Sequence, residues 1–199
     1  WLGVSIDSVD ENSYPDLRKD LGLGNKGGGI ILGVFKGSPA DKAGILPGDF
    51  ITKINGTVIS DSSQLIKVIG TIPPKEKATF TLIRNKKEMT LSVVLEARDE
   101  EDKVQANHDI YPGFLCINID EKMRTKGELG DIQGVMIVAV SQGTAAEQAN
   151  LRAGDIIQEI NDKPVTNMLE FYNALNDKSS KKMFQINRKG QKIIIGIVK

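Results

Sequence analysis

The chain has 199 residues, 40% hydrophobic and 26% charged, with 26 basic residues against 26 acidic ones and a formal net charge of +0. At roughly 100–200 residues per domain this is one domain or two small ones. The balanced charge leaves no basic field to attract phosphates, so a nucleic-acid partner and an anionic membrane surface are both disfavoured. One cysteine, Cys116, closes no internal disulfide and builds no multi-cysteine zinc site. No apolar run approaches the ~18 residues that span a bilayer.

The first residues, Trp1-Leu2-Gly3-Val4, lack an initiator methionine and the basic-then-apolar pattern of a secretory leader, and a piece of a longer polypeptide is expected. Gly3–Ile6 reads as a short strand. A polar loop follows, with glycines at Gly22, Gly24 and Gly27–Gly29, and then the continuous apolar run Ile30–Phe35 predicts a central strand. Pro39–Ala43 predicts one helical turn, with Gly44 just past its end where a left-handed residue commonly closes a helix. Asp49–Asn55 alternates as a strand, and Asn55-Gly56 is a two-residue hairpin signal. Asp61 or Ser62 caps a helix carrying Leu65, Ile66, Val68 and Ile69, of which Leu65 and Val68 are assigned to the core. Thr79–Arg84 and Met89–Leu95 form a closing hairpin across Asn85-Lys86-Lys87.

The second half repeats this order. Residues 37–55 read GSPADKAGILPGDFITKIN, and residues 143–161 read GTAAEQANLRAGDIIQEIN, a constant offset of 106. Near each start, Leu2-Gly3-Val4 matches Pro112-Gly113-Phe114 at an offset of 110, so the first copy has the longer first loop. Asn150 stands where Gly44 does, as the next best residue for a left-handed backbone. The further elements are Val135–Val140, Ile156–Asn161, a helix over Met168–Leu175, and the strands Met183–Arg188 and Ile193–Val198. Arg98–Asp109 is charged and nearly free of apolar residues, as a linker is. The predicted organisation is therefore two domains, 1–97 and 110–199, joined by 98–109. The fold class is mainly β with short helices (α+β), each domain a small, partly open barrel or sandwich of five or six strands capped by two helices.

Strand, then S-P-A-x-x-A-G-x-x-x-G-D-x-I-x-x-I-N-G, then helix and closing hairpin, resembles a PDZ domain. Two in tandem, the first opening on Leu-Gly-Val, resemble the C-terminal half of the HtrA (DegP-like) serine proteases. The resemblance implies peptide binding by β-augmentation, the ligand adding as a strand beside the opening strand and under the helix. Its terminal carboxylate would rest on a nest of backbone N–H groups, those of Leu2, Gly3 and Val4 in the first domain. In the second domain Pro112 has no N–H, which leaves Gly113 and Phe114 and a weaker carboxylate site, or a preference for internal segments. By the family pattern Ser62, Ile66 and Ile69 face the first groove opposite Val4 and Ile6. Met168, Tyr172 and Leu175 face the second, opposite Phe114 and Cys116. Both pockets are apolar, so hydrophobic C-termini of peptides or unfolded proteins are the implied ligands. The resemblance further implies an upstream protease domain, a homo-oligomer in the parent protein, and the bacterial periplasm or cell envelope. The alternative is a non-catalytic scaffold or adaptor with two PDZ domains.

Other signals weigh less. Gly24-Asn25-Lys26-Gly27-Gly28 looks like the G-N-S-G-G around an HtrA catalytic serine, with lysine in its place, but reads better as a glycine-rich loop. It lacks the Gly-Lys-Ser/Thr ending of a phosphate cradle. His108 is the single histidine and falls in the linker, so neither a Ser-His-Asp triad nor a multi-histidine metal site is expected. Cys116 reads as a buried or groove-lining thiol. Asp49 and Asp155 occupy the same place in two repeats and are expected to stabilise turns through backbone N–H groups. Asp99–Asp102 lacks the spaced oxygens of a calcium loop. No catalytic residue, metal site or cofactor is expected in this chain.

Overall fold

The computed structural model describes residues 1–97 and 109–199; His108, Asp99–Asp102 and the rest of 98–108 lie outside the described residues. Two compact units result: Trp1–Val9 with Leu21–Pro112, and Asp10–Asp20 with Gly113–Lys199. The units therefore differ from the repeats by two short segments. Asp10–Asp20, from the first loop of the first repeat, folds as part of unit 2, and 109–112 belong to unit 1.

Unit 1 begins with β1 (Val4–Asp7). The long loop after it carries a one-turn helix, α1 (Leu17–Leu21), whose residues up to Asp20 belong to unit 2. Next come β2 (Gly29–Phe35), α2 (Pro39–Ala43), β3 (Phe50–Ile54), β4 (Thr57–Val58), α3 (Ser62–Thr71), β5 (Lys77–Arg84) and β6 (Lys87–Val94). β7 (Ile110–Tyr111) adds beside the end of β2. The sheet runs β1-β2-β3-β5-β6, with β4 on β3. β1 and β6 end this path, so the sheet does not close into a barrel.

Turn chemistry fixes most junctions. Ser38 caps α2 by accepting the Asp41 N–H, and Gly44 closes it at φ +79°. Asn55 and Gly56 both take positive φ, the geometry a two-residue hairpin demands, and Ile54 pairs with Thr57 across them. Asp61, rather than Ser62, caps α3 by accepting the Gln64 N–H. Ile31, Ile51, Leu65 and Phe80 are buried in the core of unit 1, and Val68 packs against it half-buried.

Unit 2 repeats the plan with β8 (Phe114–Asn118), α4 (Glu121–Gly127), β9 (Val135–Val140), α5 (Ala145–Gln148), β10 (Ile156–Ile160), β11 (Lys163–Pro164), α6 (Met168–Leu175), β12 (Lys181–Arg188) and β13 (Gln191–Val198). Its sheet runs β13-β12-β10-β9-β8 and is likewise open. Asn150 takes φ +66° at the end of α5, where unit 1 uses glycine. Phe114 meets Phe171 and Phe184 edge to face, at centroid distances of 6.2 and 5.6 Å.

Candidate functional site

In unit 1 the opening turn is held from one side. The Leu2 carbonyl accepts the Ala40 N–H (2.9 Å), and the Gly3 carbonyl accepts the Phe35 N–H (3.0 Å). The Ser38 hydroxyl also donates to Gly3 O, at 3.2 Å. A trans peptide sets its N–H opposite its carbonyl, so the Gly3 and Val4 N–H groups are directed away from α2 and β2. Gly3 itself sits at φ +82°, and a Cβ there would lie 2.2 Å from Ser38 Cβ. The turn thus needs glycine for both its dihedral and its clearance.

β1 continues from this turn with one ladder partner among the described residues, β2, and a register shift between Ser5 and Ile6. Val4, Ile6 and Ile69 are half-buried against the core, and Ile66 stands 58% exposed on α3. Gly29 lies beneath, where a Cβ would press on Leu65 and Ile6 side chains and approach Ser62 Cα. Ser62 is tied to the strand, its N–H donating to Ser8 Oγ (3.1 Å) and its hydroxyl sharing a 2.7 Å bond with the Ser8 hydroxyl. Strand and helix are therefore bridged at one end and open at Ile66.

The second unit keeps the backbone and changes the surface. Gly113, at φ +79°, sends its carbonyl to the Ser141 N–H at 2.8 Å and to the Thr144 hydroxyl at 3.4 Å. Thr144 thus stands for Ser38, and the Phe114 N–H is directed outward as Val4's is. Pro112 supplies no donor. Phe114, Cys116, Met168, Tyr172 and Leu175 are all buried. Burial, and behind it the Asp155 charge, pushes the Cys116 thiol well above its ordinary range, so it is a packed thiol rather than an activated nucleophile.

Asp49 and Asp155 accept the Leu46 and Arg152 N–H groups at 2.9 Å each, as turn stabilisers do. Each also takes a bidentate arginine that the sequence reading did not pair with it. Arg84 reaches Asp49 with both bonds at 2.6 Å, and Arg188 reaches Asp155 with both at 2.7 Å. Arg84 also donates to Gly44 O, and Arg188 to Asn150 O, locking the end of each short helix. Burial of Asp49 pushes its carboxyl up, against the pull of Arg84. The recurrence of an arginine at the end of β5 and of β12 was the available signal. The glycine-rich loop has a packing role: the Gly28 N–H donates to Ser60 O (3.1 Å), and a Cβ on Gly27 would meet Ser60 O at 2.6 Å. Among the described residues no cluster of three or more His, Cys, Asp or Glu side chains could hold a metal ion.

A family model described as "PDZ domain" matches residues 2–95, and a second of the same description matches residues 103–186. A probable periplasmic serine endoprotease DegP-like of Marinomonas sp. (strain MWYL1) is 36% identical over 180 residues, 89% of this chain and 37% of that protein. Its counterpart in Hahella chejuensis (strain KCTC 2396) is 33% identical over 181 residues, 88% of this chain and 38% of that protein. The chain thus spans little more than a third of the curated relatives it matches. Among solved structures, the HtrA-type protease AlgW with tripeptide is 30% identical, covering 51% of this chain and 33% of that one, with a TM-score of 0.45. The HtrA3 PDZ domain bound to a phage-derived ligand (FGRWV) is 24% identical, covering 47% of this chain and 82% of that one, with a TM-score of 0.39.

Proposed function

The chain belongs to the PDZ family, as two such domains in tandem, and from that premise we propose that unit 1 binds hydrophobic peptide C-termini by β-augmentation. The observation that carries the reading is the turn at Leu2–Val4. Its carbonyls are drawn into the fold by Ala40, Phe35 and Ser38, which leaves the Gly3 and Val4 amides for an anion. Among the described residues β1 pairs with β2 alone, which leaves its other edge for an added strand, and Ile66 offers apolar surface beside it. Val4, Ile6, Ser62, Ile66 and Ile69 form the site in this reading, with Leu2 supplying a third N–H.

The relatives named as DegP-like periplasmic endoproteases support a wider proposal. In it the chain is the substrate-recognition part of an HtrA-type serine endopeptidase of the bacterial periplasm, serving a protease domain elsewhere in the parent polypeptide. Those relatives disfavour the scaffold or adaptor alternative. The division into 1–97 and 110–199 with a linker between remains part of this proposal.

Fluorescence anisotropy on the full chain tests the reading with labelled peptides ending in a hydrophobic residue. A charge-assisted hydrogen bond contributes about 1.5–3 kcal/mol, so amidating the peptide terminus should weaken binding roughly 10- to 100-fold. Equal affinities for the acid and the amide would remove the carboxylate nest from Leu2–Val4.

A further inference from the structure

The far end of each groove, where the opening strand runs out beside the helix N-terminus, is bridged differently in the two units. In unit 1 the bridge is local, Ser8 to Ser62. In the second repeat Asn118 holds the place of Ser8, and Met168 that of Ser62. Here a third residue spans the gap. The Asp20 carboxylate accepts from the Asn118 side-chain amide at 2.7 Å and from the Met168 N–H at 3.1 Å. The same amide nitrogen donates to Pro15 O at 2.8 Å. Asp20 belongs to unit 2 with the rest of Asp10–Asp20.

That segment is built rather than loose. The Asp10 carboxylate accepts the Asn12 and Ser13 N–H groups, Glu11 accepts the Asp16 N–H, and the Tyr14 N–H returns to Asp10 O. Its apolar residues Tyr14 and Leu17 are only 4% and 1% exposed. All five groove-lining side chains of unit 2 are buried as well, whereas Ile66 and its neighbours in unit 1 are not. We propose that Tyr14–Asp20 is the resident ligand of the second groove, an internal aromatic–aliphatic segment clasped at its end by Asp20, and that an outside peptide enters only by displacing it. Tyr172 agrees with this placement: burial first, then the neighbouring Cys116 and Tyr14, push its hydroxyl far up. A tethered segment competes at an effective concentration on the order of millimolar, which a weak free peptide does not match. The second groove therefore selects internal segments, and its missing Pro112 donor is of no consequence to a ligand without a free carboxylate.

Cys116, one of the side chains the family pattern assigns to this groove, is buried and is the single thiol of the chain, so under this proposal its reaction with Ellman's reagent reports occupancy directly. The full chain should react slowly. Asp20→Ala, and a second chain with residues 11–20 replaced by a glycine–serine linker of equal length, should react at least tenfold faster, with the strand signal of the circular dichroism unchanged. A synthetic peptide of sequence ENSYPDLRKD should slow the linker chain again. A linker chain as slow as the parent would overturn the proposal; so would a fast one that the peptide does not protect, because the change would then have loosened unit 2 itself. The measurement involves no binding at Leu2–Val4, so its failure and that of the peptide-binding reading are distinguishable.

Discussion

Ile66 in unit 1 and Tyr172 in unit 2 hold the same position on equivalent helices, yet Ile66 is 58% exposed and Tyr172 is buried. Opposite them the strands also correspond, Val4 and Ile6 half-buried, Phe114 and Cys116 buried. Both grooves grow from a glycine at φ near +80° whose carbonyl is tied to a hydroxyl residue, Ser38 or Thr144. A shared backbone therefore carries two different surfaces. The two units share the turns, the buried aspartate–arginine pairs and the strand order. The divergence lies in side chains along one strand and one helix face, and in the segment that bridges them.

The largest test of this contrast places one charge at the two matched positions. Tyr172→Asp removes a buried ring and leaves an unpaired buried carboxylate, which should cost at least ~4 kcal/mol. Ile66→Asp alters an exposed side chain and should change stability by no more than ~0.5 kcal/mol. Losing its apolar contact should weaken binding of a hydrophobic C-terminus at least ~10-fold. Urea denaturation and peptide titration read the two effects; equal destabilisation by both substitutions would erase the distinction between an open and a filled groove.

A second contrast lies at the start of the closing hairpins, where Ala78 of unit 1 corresponds to Lys182 of unit 2 and both are fully buried. The Lys182 ammonium donates to the Asp177 carbonyl (2.9 Å) and pairs with the Asp177 carboxylate, which Lys163 also approaches at 3.0 Å. The Lys182 hydrogen bond holds the Asp177 carboxyl well below its ordinary value. Asp177→Asn leaves the lysine buried without its counter-charge, at a cost of about 3 kcal/mol near neutral pH. A carboxyl with a lowered folded pKa contributes stability above its unfolded value of about 4, and loses it as pH falls through the folded value. The stability gap between parent and variant should accordingly be full at pH 7 and narrow below about pH 4. Urea midpoints measured across that range would show it, and a gap independent of pH would break the assignment of the ion pair.

Much of this was legible in the sequence because it is set locally. The positive-φ positions Gly44, Asn150, Asn55 and Asn161 carry residues that tolerate a left-handed backbone, and the strands follow from apolar periodicity. What escaped depends on distant partners or on too few residues. α1 is five residues and α4 seven, too short for a helical period and rich in charge. Lys182 belongs to a residue type that is almost never fully buried, and its counter-charge, Asp177, carries no local mark in the sequence. Asp49 and Arg84 are 35 residues apart. Tyr14 and Leu17 lie in a loop whose composition reads as polar, and nothing near them in the chain announces that Asp20 meets Asn118, 98 residues on.

The smallest expected effect concerns Ser8, and it sharpens the comparison because it touches only the local bridge. Ser8→Ala removes the acceptor of the Ser62 N–H, one of the first-turn donors of α3 that has no partner within the helix. Asp61 still accepts the Gln64 N–H at 2.8 Å, so the helix keeps its cap. The freed Ser62 groups are partly exposed and can turn to water, so the cost should be about 1 kcal/mol, the net contribution of one ordinary hydrogen bond. Cys116 should react with Ellman's reagent at the parent rate, because the bridge of the second groove runs through Asp20 and Asn118 instead. A change in that rate would show that the two bridges are coupled and that the grooves cannot be treated as independent sites. A loss well above 1 kcal/mol would show that Ser8, like Asp20, organises more than the end of one helix.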